Sequence, residues 1–307
     1  MAFWELKDYW NYRWGRYKNY PISEYCFKIP ITQRASLYSI LILKSDSIDG
    51  QNLKMELDIK GISEIIQKQN YKEVILFLQG FSDDVEKIKH YTYGLALSGY
   101  AVISYDFRGV GKSRFSGLKN NFSLIVEDVR KVIDFLYSSL PLSDKKFNVV
   151  GISLGSIGTL ISAFPDTRIN KIVAVAAISD FKKNLPRYPV PFKGKWWIWL
   201  RYSFFAVDIY PNDEENSKIS PIYIIENIKE RFLKENESGI NWHRFFNDRL
   251  RLIHCINDKI IYFHNFLNLV RVTGLDPENY YVFKKGGHMF KMYELALLSS
   301  IIDAIEH

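Results

Sequence analysis

The most informative segment of the sequence is Phe147-Asn148-Val149-Val150-Gly151-Ile152-Ser153-Leu154-Gly155, an apolar run that ends in a G-x-S-x-G pentapeptide. A serine hydroxyl is a weak nucleophile, and it serves catalysis best on a tight strand-to-helix turn that projects its oxygen from the backbone. Gly151 and Gly155 give such a turn room, since neither has a side chain. The residues before the pentapeptide are typical of a buried parallel strand, and those from Ser156 to Ala163 of a helix. This context favours a nucleophilic Ser153 over an ordinary glycine turn, which is the alternative.

A hydroxyl nucleophile needs a general base, which is most often a histidine near neutral pH. The sequence contains six histidines. His288 lies between the last predicted strand and the last predicted helix, and the preceding Gly286 and Gly287 let this loop bend sharply toward Ser153. We therefore expect His288 to be the base. The remaining five are interpreted as structural: His90, His243, His254, His264 and His307.

The acid that orients the base is expected at the end of a different strand. Asp258 meets this condition, because it lies two residues after the end of a predicted strand at Ile256. A buried carboxylate there would accept a hydrogen bond from His288 and fix its tautomer. The alternative role for Asp258 is a helix N-cap. Asp180, at the end of the preceding strand, is the second candidate for the acid.

Two backbone N–H groups are the candidates for stabilising the oxyanion that forms during acyl transfer. One belongs to Leu154, the residue after the nucleophile. The other belongs to Phe81, in the loop Gln79-Gly80-Phe81-Ser82 that follows a predicted strand. An ordinary strand-to-helix loop is the alternative interpretation of this second segment.

Strand-like and helix-like segments alternate from Glu73 onward, which predicts an α/β fold with a mostly parallel sheet and helices on both faces. Residues 25–31 and 35–43 predict a preceding antiparallel pair. The predicted later strands are Val74–Leu78, Tyr100–Tyr105, Phe147–Val150, Ile172–Ile178, Leu250–Ile256 and Tyr280–Phe283. The predicted helices are Val85–Ser98, Leu124–Tyr137, Ser156–Ala163, Phe263–Val272 and Tyr293–Ile305.

Residues 181–248 interrupt this alternation and are too many for an ordinary connection. We interpret them as an inserted cap, with a helix at residues 222–234, on a core domain formed by residues 1–180 and 249–307. Aromatic residues of the cap are candidates for binding substrate, although packing of the cap onto the core is favoured for most of them. The candidates are Trp196, Trp197, Trp199 and Phe205.

Residues 1–20 form an aromatic, helix-like extension with basic residues at its flanks. An aromatic segment flanked by basic residues can lie in a membrane interface, but such a segment more often packs against the domain that it precedes. Peripheral membrane contact is therefore an open alternative.

Composition limits the remaining classes of function. The chain has 307 residues, 47% of them hydrophobic, and its net charge of +7 is spread without a dense basic block, so we expect no nucleic-acid partner. Two cysteines, Cys26 and Cys255, cannot form a disulfide framework, and their spacing does not indicate a metal site. A cytoplasmic protein without a signal peptide or a transmembrane segment is expected. Its oligomeric state is left open.

These residues together resemble the α/β-hydrolase superfamily over about residues 71–307, apart from the cap. The order Ser153, Asp258, His288 is the order of that superfamily and differs from those of chymotrypsin and subtilisin. Residues 106–113 also match its D-x-R-G-x-G-x-S turn. The sequence is most similar to the branch that contains serine aminopeptidase-like hydrolases, monoacylglycerol-lipase-like enzymes and cinnamoyl or feruloyl esterases. Gln79 departs from the pattern, because the family usually has histidine there.

The resemblance implies hydrolysis in two acyl-transfer steps, without a metal or an organic cofactor. The substrate expected is a small-molecule ester with an apolar or aromatic acyl group. A serine aminopeptidase is also compatible with the sequence, since the cap contains acidic residues that could bind a free amine: Glu214, Glu215, Glu226 and Glu230. A thioesterase with the same triad and a non-catalytic scaffold with the same fold stay open as well.

Overall fold

Nine strands form one mixed sheet in the part of the protein that the structure, a computed structural model, describes. The described residues are 21–45, 53–81, 83–114, 122–142, 146–184, 213–234 and 241–307. The strands are β1 (Ile22–Thr32), β2 (Ala35–Lys44), β3 (Leu53–Glu56), β4 (Val74–Leu78), β5 (Ala101–Tyr105), β6 (Phe147–Ile152), β7 (Ile172–Val175), β8 (Leu250–Cys255) and β9 (Tyr280–Phe283). They lie side by side in the order β3-β1-β2-β5-β4-β6-β7-β8-β9. Six adjacent strands are parallel: β5, β4, β6, β7, β8 and β9. Strand β2 runs antiparallel to both of its neighbours, β1 and β5.

Helices cover both faces of the sheet. They are α1 (Ile59–Lys68), α2 (Lys89–Leu97), α3 (Phe122–Ser139), α4 (Leu154–Gly158), α5 (Phe181–Asn184), α6 (Asp213–Ile219), α7 (Pro221–Lys234), α8 (Trp242–Arg249), α9 (His264–Thr273) and α10 (Glu294–Glu306). A wider π-helical turn, Thr159–Ala163, continues α4. One hydrophobic core lies between the sheet and α1, α3, α4 and α9, and a second lies between the sheet and α2 and α10. Successive residues of β4 divide between the two cores, as a strand buried on both faces requires.

The predicted α/β-hydrolase fold is confirmed, and so is the predicted position of most strands. Several boundaries differ for local reasons. The strand predicted to reach Ile178 ends at Val175, because Ala176 has a φ of 49° in the left-handed region and cannot continue a strand. The helix predicted from Val85 begins at Lys89, since the Val85 N–H donates to the Asp106 carboxylate at 2.8 Å.

Two regions of the sequence contain elements that the pattern did not predict. Between residues 53 and 68, the short strand β3 is only four residues long and therefore too short to show a clear alternation. Helix α1 follows it, and its N-cap Asp58 accepts a hydrogen bond from the Gly61 N–H at 2.8 Å. The second region is the predicted cap segment, which holds the unpredicted helices α5, α6 and α8; α8 leads directly into β8.

Helices α5 to α8 lie in the segment predicted to be a cap. Their described apolar residues Ile219, Ile225, Ile228 and Phe246 join the same hydrophobic core as the sheet. The boundaries of the cap stay a prediction. The four candidate aromatic residues of the cap and the N-terminal extension at residues 1–20 lie outside the described residues.

The described helices were also considered as candidates for crossing a membrane. None of them combines the length and the apolar composition that a membrane span requires.

A buried ion pair holds α3 against the turn that follows β5. The Arg108 guanidinium donates to both carboxylate oxygens of Asp128 on α3, at 2.6 and 2.5 Å. Both side chains are almost completely buried. Burial raises the pKa of the Asp128 carboxyl, and the hydrogen bond from Arg108 opposes this rise. Breaking a buried pair of this kind is strongly destabilising.

We predict that Asp128→Ala lowers the free energy of unfolding by about 3–5 kcal/mol, because the variant breaks a buried ion pair with two hydrogen bonds. The matched control is Asp134→Ala on the same helix, where the ion pair with Arg168 is exposed and worth about 0.2–1 kcal/mol. Urea unfolding followed by circular dichroism measures both. Equal losses in the two variants would contradict the importance of the buried pair.

Candidate active site

Ser153 lies at a sharp turn between β6 and α4. Its φ is 54° and its ψ is −111°, a conformation that residues with a side chain rarely adopt. The Ser153 N–H donates to the Val175 carbonyl at 2.9 Å, so the turn is held by the neighbouring strand β7. Ser153 occupies the N-cap position of α4, but its side chain makes no capping hydrogen bond to the helix. The strained backbone therefore leaves the hydroxyl available for a partner outside the helix.

The two glycines that flank this turn are required by close contacts. A Cβ atom on Gly151 would lie 2.2 Å from the Thr159 hydroxyl and 2.4 Å from the Gly155 carbonyl oxygen. A Cβ atom on Gly155 would lie 2.3 Å from the Leu78 carbonyl oxygen at the end of β4. No real Cβ atom tolerates such distances from backbone atoms. The beginning of α4 can therefore approach β4 only because both positions are glycine.

The structure brings the three residues predicted as nucleophile, base and acid into one chain of hydrogen-bond distances. His288 Nε2 lies 3.0 Å from Ser153 Oγ, and His288 Nδ1 lies 2.8 Å from Asp258 Oδ2. Because an ionised carboxylate only accepts hydrogen bonds, Nδ1 carries the proton and Nε2 is left to accept the proton of the serine. The arrangement has the geometry of a nucleophile, a general base and an orienting acid.

The carboxylate of Asp258 is fixed on both of its oxygens. Oδ1 accepts hydrogen bonds from the Ile260 and Ile261 N–H groups at 2.8 and 3.0 Å, and Oδ2 faces His288. The side chain is fully buried. The alternative role of Asp258, a helix N-cap, does not apply. Its carboxylate accepts hydrogen bonds within the loop after β8, and the next helix begins only at His264.

Asp180, the second candidate for the acid, has other partners. It accepts hydrogen bonds from the side chains of Asn216 and Tyr223 at 3.2 and 3.3 Å, and Lys183 Nζ lies 3.2 Å from it. These contacts connect the end of β7 to α6 and α7. Asp258 rather than Asp180 therefore faces His288.

A second histidine, His254, lies behind the acid. Its Nε2 is 2.9 Å from the Ile261 carbonyl oxygen and 3.8 Å from Asp258 Oδ2. Burial lowers the pKa of His254, so the imidazole stays neutral at neutral pH and donates its Nε2 proton to the carbonyl. The sequence placed His254 inside a strand as a structural residue, and nothing in the pattern indicated that it touches the acid.

The loop after β4 lies close to the serine, as the oxyanion-site prediction requires. A Cβ atom on Gly80 would lie 3.6 Å from Ser153 Cβ. Phe81 follows Gly80, and Leu154 is the first residue of α4. The roles of their N–H groups at the oxyanion stay a prediction. Gln79, the residue that departs from the family pattern, is fully buried, and its amide has no hydrogen-bond partner among the described residues.

We predict that Gly155→Ala strongly lowers the unfolding temperature, because its Cβ would collide with the backbone of Leu78. The control is Gly61→Ala in α1, where the nearest atom is a side-chain carbon at 3.3 Å and where alanine favours a helix by about 1 kcal/mol. Scanning calorimetry measures both variants. An unaltered unfolding temperature in Gly155→Ala would contradict the close approach.

We predict that His254 makes the fold sensitive to acid. Its pKa in the folded protein lies below the ordinary 6.5. Below pH 6.5, His254 of the unfolded chain is therefore protonated more readily than His254 of the folded protein. Stability from this group is complete above pH 6.5 and falls below it, by at most about 1.4 kcal/mol per pH unit. Urea unfolding at pH 5.5 and 7.5 should show a smaller acid loss in His254→Gln than in wild type. His307→Gln, at the exposed last residue, should retain the wild-type loss; a His254→Gln variant that does the same would contradict the assignment.

Comparison with known proteins identifies the family of this chain. The family model described as "Serine aminopeptidase, S33" matches residues 69–243, more than half of the chain. Among solved structures, the alpha/beta hydrolase domain-containing protein 10 from mouse is 16% identical, with a TM-score of 0.52, and the alignment covers 92% of this chain and 98% of that one.

Two further structures show the same fold at low identity. The acylaminoacyl peptidase of Pyrococcus horikoshii is 15% identical with a TM-score of 0.59, and the alignment covers 94% of this chain but only 41% of that longer protein. Est1E from Butyrivibrio proteoclasticus, solved with bound ferulic acid, is 11% identical with a TM-score of 0.51, and the alignment covers 91% and 99% of the two chains. The chain belongs to the serine aminopeptidase (S33) family, within the α/β-hydrolase superfamily.

Proposed function

We propose that this protein is a serine hydrolase that cleaves small carboxylic esters with apolar or aromatic acyl groups. The observation that carries the proposal is the continuous series from Ser153 Oγ through the His288 imidazole to the buried Asp258 carboxylate, at 3.0 and 2.8 Å. A serine that serves only structure has no need of a strained backbone conformation or of a histidine held by a buried acid.

The proposed reaction has two acyl-transfer steps. Ser153 Oγ attacks the ester carbonyl carbon while His288 Nε2 takes its proton, and the carbonyl oxygen becomes an oxyanion. The N–H groups of Phe81 and Leu154 donate to that oxyanion in this proposal. When the intermediate collapses, the alcohol leaves with the proton from His288, and the acyl group stays on Ser153. His288 takes a proton from water, and the resulting hydroxide attacks the acyl-enzyme. The bond to Ser153 then breaks, His288 returns the proton to Ser153 Oγ, and the acid is released.

A series of aromatic contacts supports an apolar acyl group. Phe81 packs against Phe122 with ring centroids 6.4 Å apart, and Phe122 packs edge-on against Phe181 at 4.7 Å. These rings come from the loop after β4, the start of α3 and the start of α5, and Phe81 is next to the glycine that approaches Ser153. Pockets for organic ligands are mainly lined by apolar and aromatic groups. The aromatic residues of the predicted cap at residues 181–248 would extend this group of three phenylalanine rings.

The charges of the described cap residues favour an ester over a substrate with a free amine. Glu214 and Glu230 have side chains that are 77% and 64% exposed, and each pairs with a lysine four residues later. Glu226 is also exposed. An amine-binding site needs carboxylates that face the reacting serine in a partly buried position. A peptidase is nevertheless the second candidate, because the matching family is described as a serine aminopeptidase.

We predict that the purified full-length protein hydrolyses p-nitrophenyl esters, and that Ser153→Ala lowers kcat by at least about 10⁴-fold, because the nucleophile acts as a unit with its base. Ser138→Ala, at an exposed position on α3, is the matched control and should retain full activity. Esters of increasing acyl length, aminoacyl nitroanilides and acyl thioesters form the substrate panel. A fluorophosphonate should add one covalent label to wild type and none to Ser153→Ala.

Each outcome of this panel decides between the candidates. Turnover of long or aromatic esters supports the proposal, whereas turnover of the nitroanilides alone would replace it by an aminopeptidase. Turnover of the thioesters alone would assign a thioesterase. Inert protein that also fails to react with the fluorophosphonate would leave the fold as a binding scaffold.

A further inference from the structure

We propose that Asn257 is the positioning residue that holds the loop of His288 in register with the acid loop. Its side-chain oxygen accepts a hydrogen bond from the Gly287 N–H at 2.8 Å, and Gly287 directly precedes His288. The inference rests on the proposed function, because it assigns to Asn257 the task of orienting the base of that reaction.

The His288 loop is strained and lightly supported, which is why it needs an anchor. Four of the seven residues from Gly286 to Met292 have positive φ, namely Gly286, Gly287, Phe290 and Met292. Two of these four have side chains, and such residues adopt this conformation only when the surroundings hold them there. A Cβ atom on Gly287 would meet nothing within 4 Å. No packing on that side therefore fixes the backbone just before the imidazole.

The far end of the same loop is fixed independently. Phe290 is fully buried, and its ring packs edge-on against Phe283 of β9 at 5.2 Å. The Lys291 N–H donates to the Gly286 carbonyl at 2.9 Å, which closes the loop on itself. The loop is thus supported after His288 by a core residue and before His288 by the side chain of Asn257.

The amide of Asn257 is itself held in one orientation. The Cys255 thiol lies 2.9 Å from the same Oδ1 atom that accepts the Gly287 N–H. Burial raises the pKa of this thiol, so it stays protonated and acts as a donor. Because both neighbours are donors, the oxygen and not the NH₂ group of Asn257 must face them. The chemistry of the contacts therefore fixes which atom holds the loop.

Asn257 occupies a position that connects three parts of the site. It directly precedes Asp258, and the adjacent Ile256 N–H extends the pairing of β8 with β9 by donating to the Phe283 carbonyl at 2.8 Å. The hydrogen bonds Asn257–Gly287 and Asp258–His288 thus run side by side between the same two loops. The Asn257–Gly287 hydrogen bond sets the distance between the two loops, and at this distance Asp258 and His288 come within hydrogen-bond reach.

The test uses Asn257→Ala in the full-length protein, with ester hydrolysis measured from pH 5 to 9. Loss of the anchor should lower kcat by about 10- to 100-fold, the usual effect of misplacing a reacting group by about 1 Å, while KM changes little. A looser contact with Asp258 also stabilises the imidazolium less. The acidic limb of the rate profile should therefore move to lower pH.

Asn257→Asp is the conservative variant, because it keeps an oxygen acceptor for the Gly287 N–H. It should restore kcat near the pH optimum. Its added negative charge beside the imidazole favours the protonated base, so the acidic limb should move to higher pH, by about 0.5 unit or more. Opposite movements of the limb in the two variants are not expected from a residue that serves only stability.

Asn170→Ala is the matched control at the opposite end of the sheet. The Asn170 side chain donates to Asn148 at 3.0 Å, and its loss should affect thermal unfolding without moving the rate profile. The proposal would be overturned if Asn257→Ala had the kcat of wild type and the acidic limb of its rate profile at the wild-type pH. Equal losses of kcat in Asn257→Ala and Asn170→Ala would overturn it as well. If Asn257→Ala does not fold, Asn257→Asp decides the question. A shift of the acidic limb of its rate profile to higher pH supports the proposal, and an unshifted limb overturns it.

A measurement without substrate separates this proposal from the proposed function. The Nδ1 proton of His288, bonded to Asp258, should give a low-field proton NMR signal in wild type and in Asn257→Asp, and this signal should broaden or vanish in Asn257→Ala. Wild-type protein that cleaves no ester but shows this pattern would refute the proposed function and support the positioning role. An unaltered signal in Asn257→Ala would refute the positioning role alone.

Discussion

The close approach of α4 to the end of β4 sets the geometry of the whole site. Gly155 contacts the Leu78 carbonyl at a distance that leaves no space for a side chain, and Gly151 is equally restricted on the strand side of the turn. This contact forces the chain to reverse direction at Ser153, which therefore adopts a positive φ. It also brings the loop after β4 within reach of the serine. One steric constraint thus places the proposed nucleophile and its two candidate N–H donors at the same edge of the sheet.

The proposed base and acid reach this edge because β7, β8 and β9 follow β6 in succession across the sheet and run parallel to it. Their connecting loops leave the sheet on the side where Ser153 projects, so residues that are 135 positions apart come within hydrogen-bond distance. The loops themselves are held by polar contacts rather than by packing. Backbone donors fix the Asp258 carboxylate, and the proposed anchor Asn257 supports the strained loop before His288. Strain in one loop is thereby balanced by hydrogen bonds from the other.

A buried polar network connects this site to the segment that leads into the predicted cap. Asn265 accepts hydrogen bonds from the N–H and hydroxyl of Ser179, and its amide donates to the Asn184 oxygen at 2.6 Å. Asn184 in turn donates to the Ile260 carbonyl at 3.3 Å, in the loop that carries the acid. Because Asn265 is fully buried, these bonds are costly to break. The start of the predicted cap segment and the loop that carries Asp258 are therefore held by the same two asparagines.

The sequence by itself determined the fold class, the position of most strands and the three residues that meet at the site. These features are local or ordered along the chain: a hydrophobic period marks a strand, paired glycines mark a turn, and the chain order of Ser153, Asp258 and His288 distinguishes this superfamily from others. Only the tertiary structure showed that Asp180 has partners other than His288, that His254 lies behind Asp258, and that Asn257 binds the neighbouring loop. Such contacts join residues from separate strands, and their distances follow from strand order and register. A single sequence carries no local pattern for either.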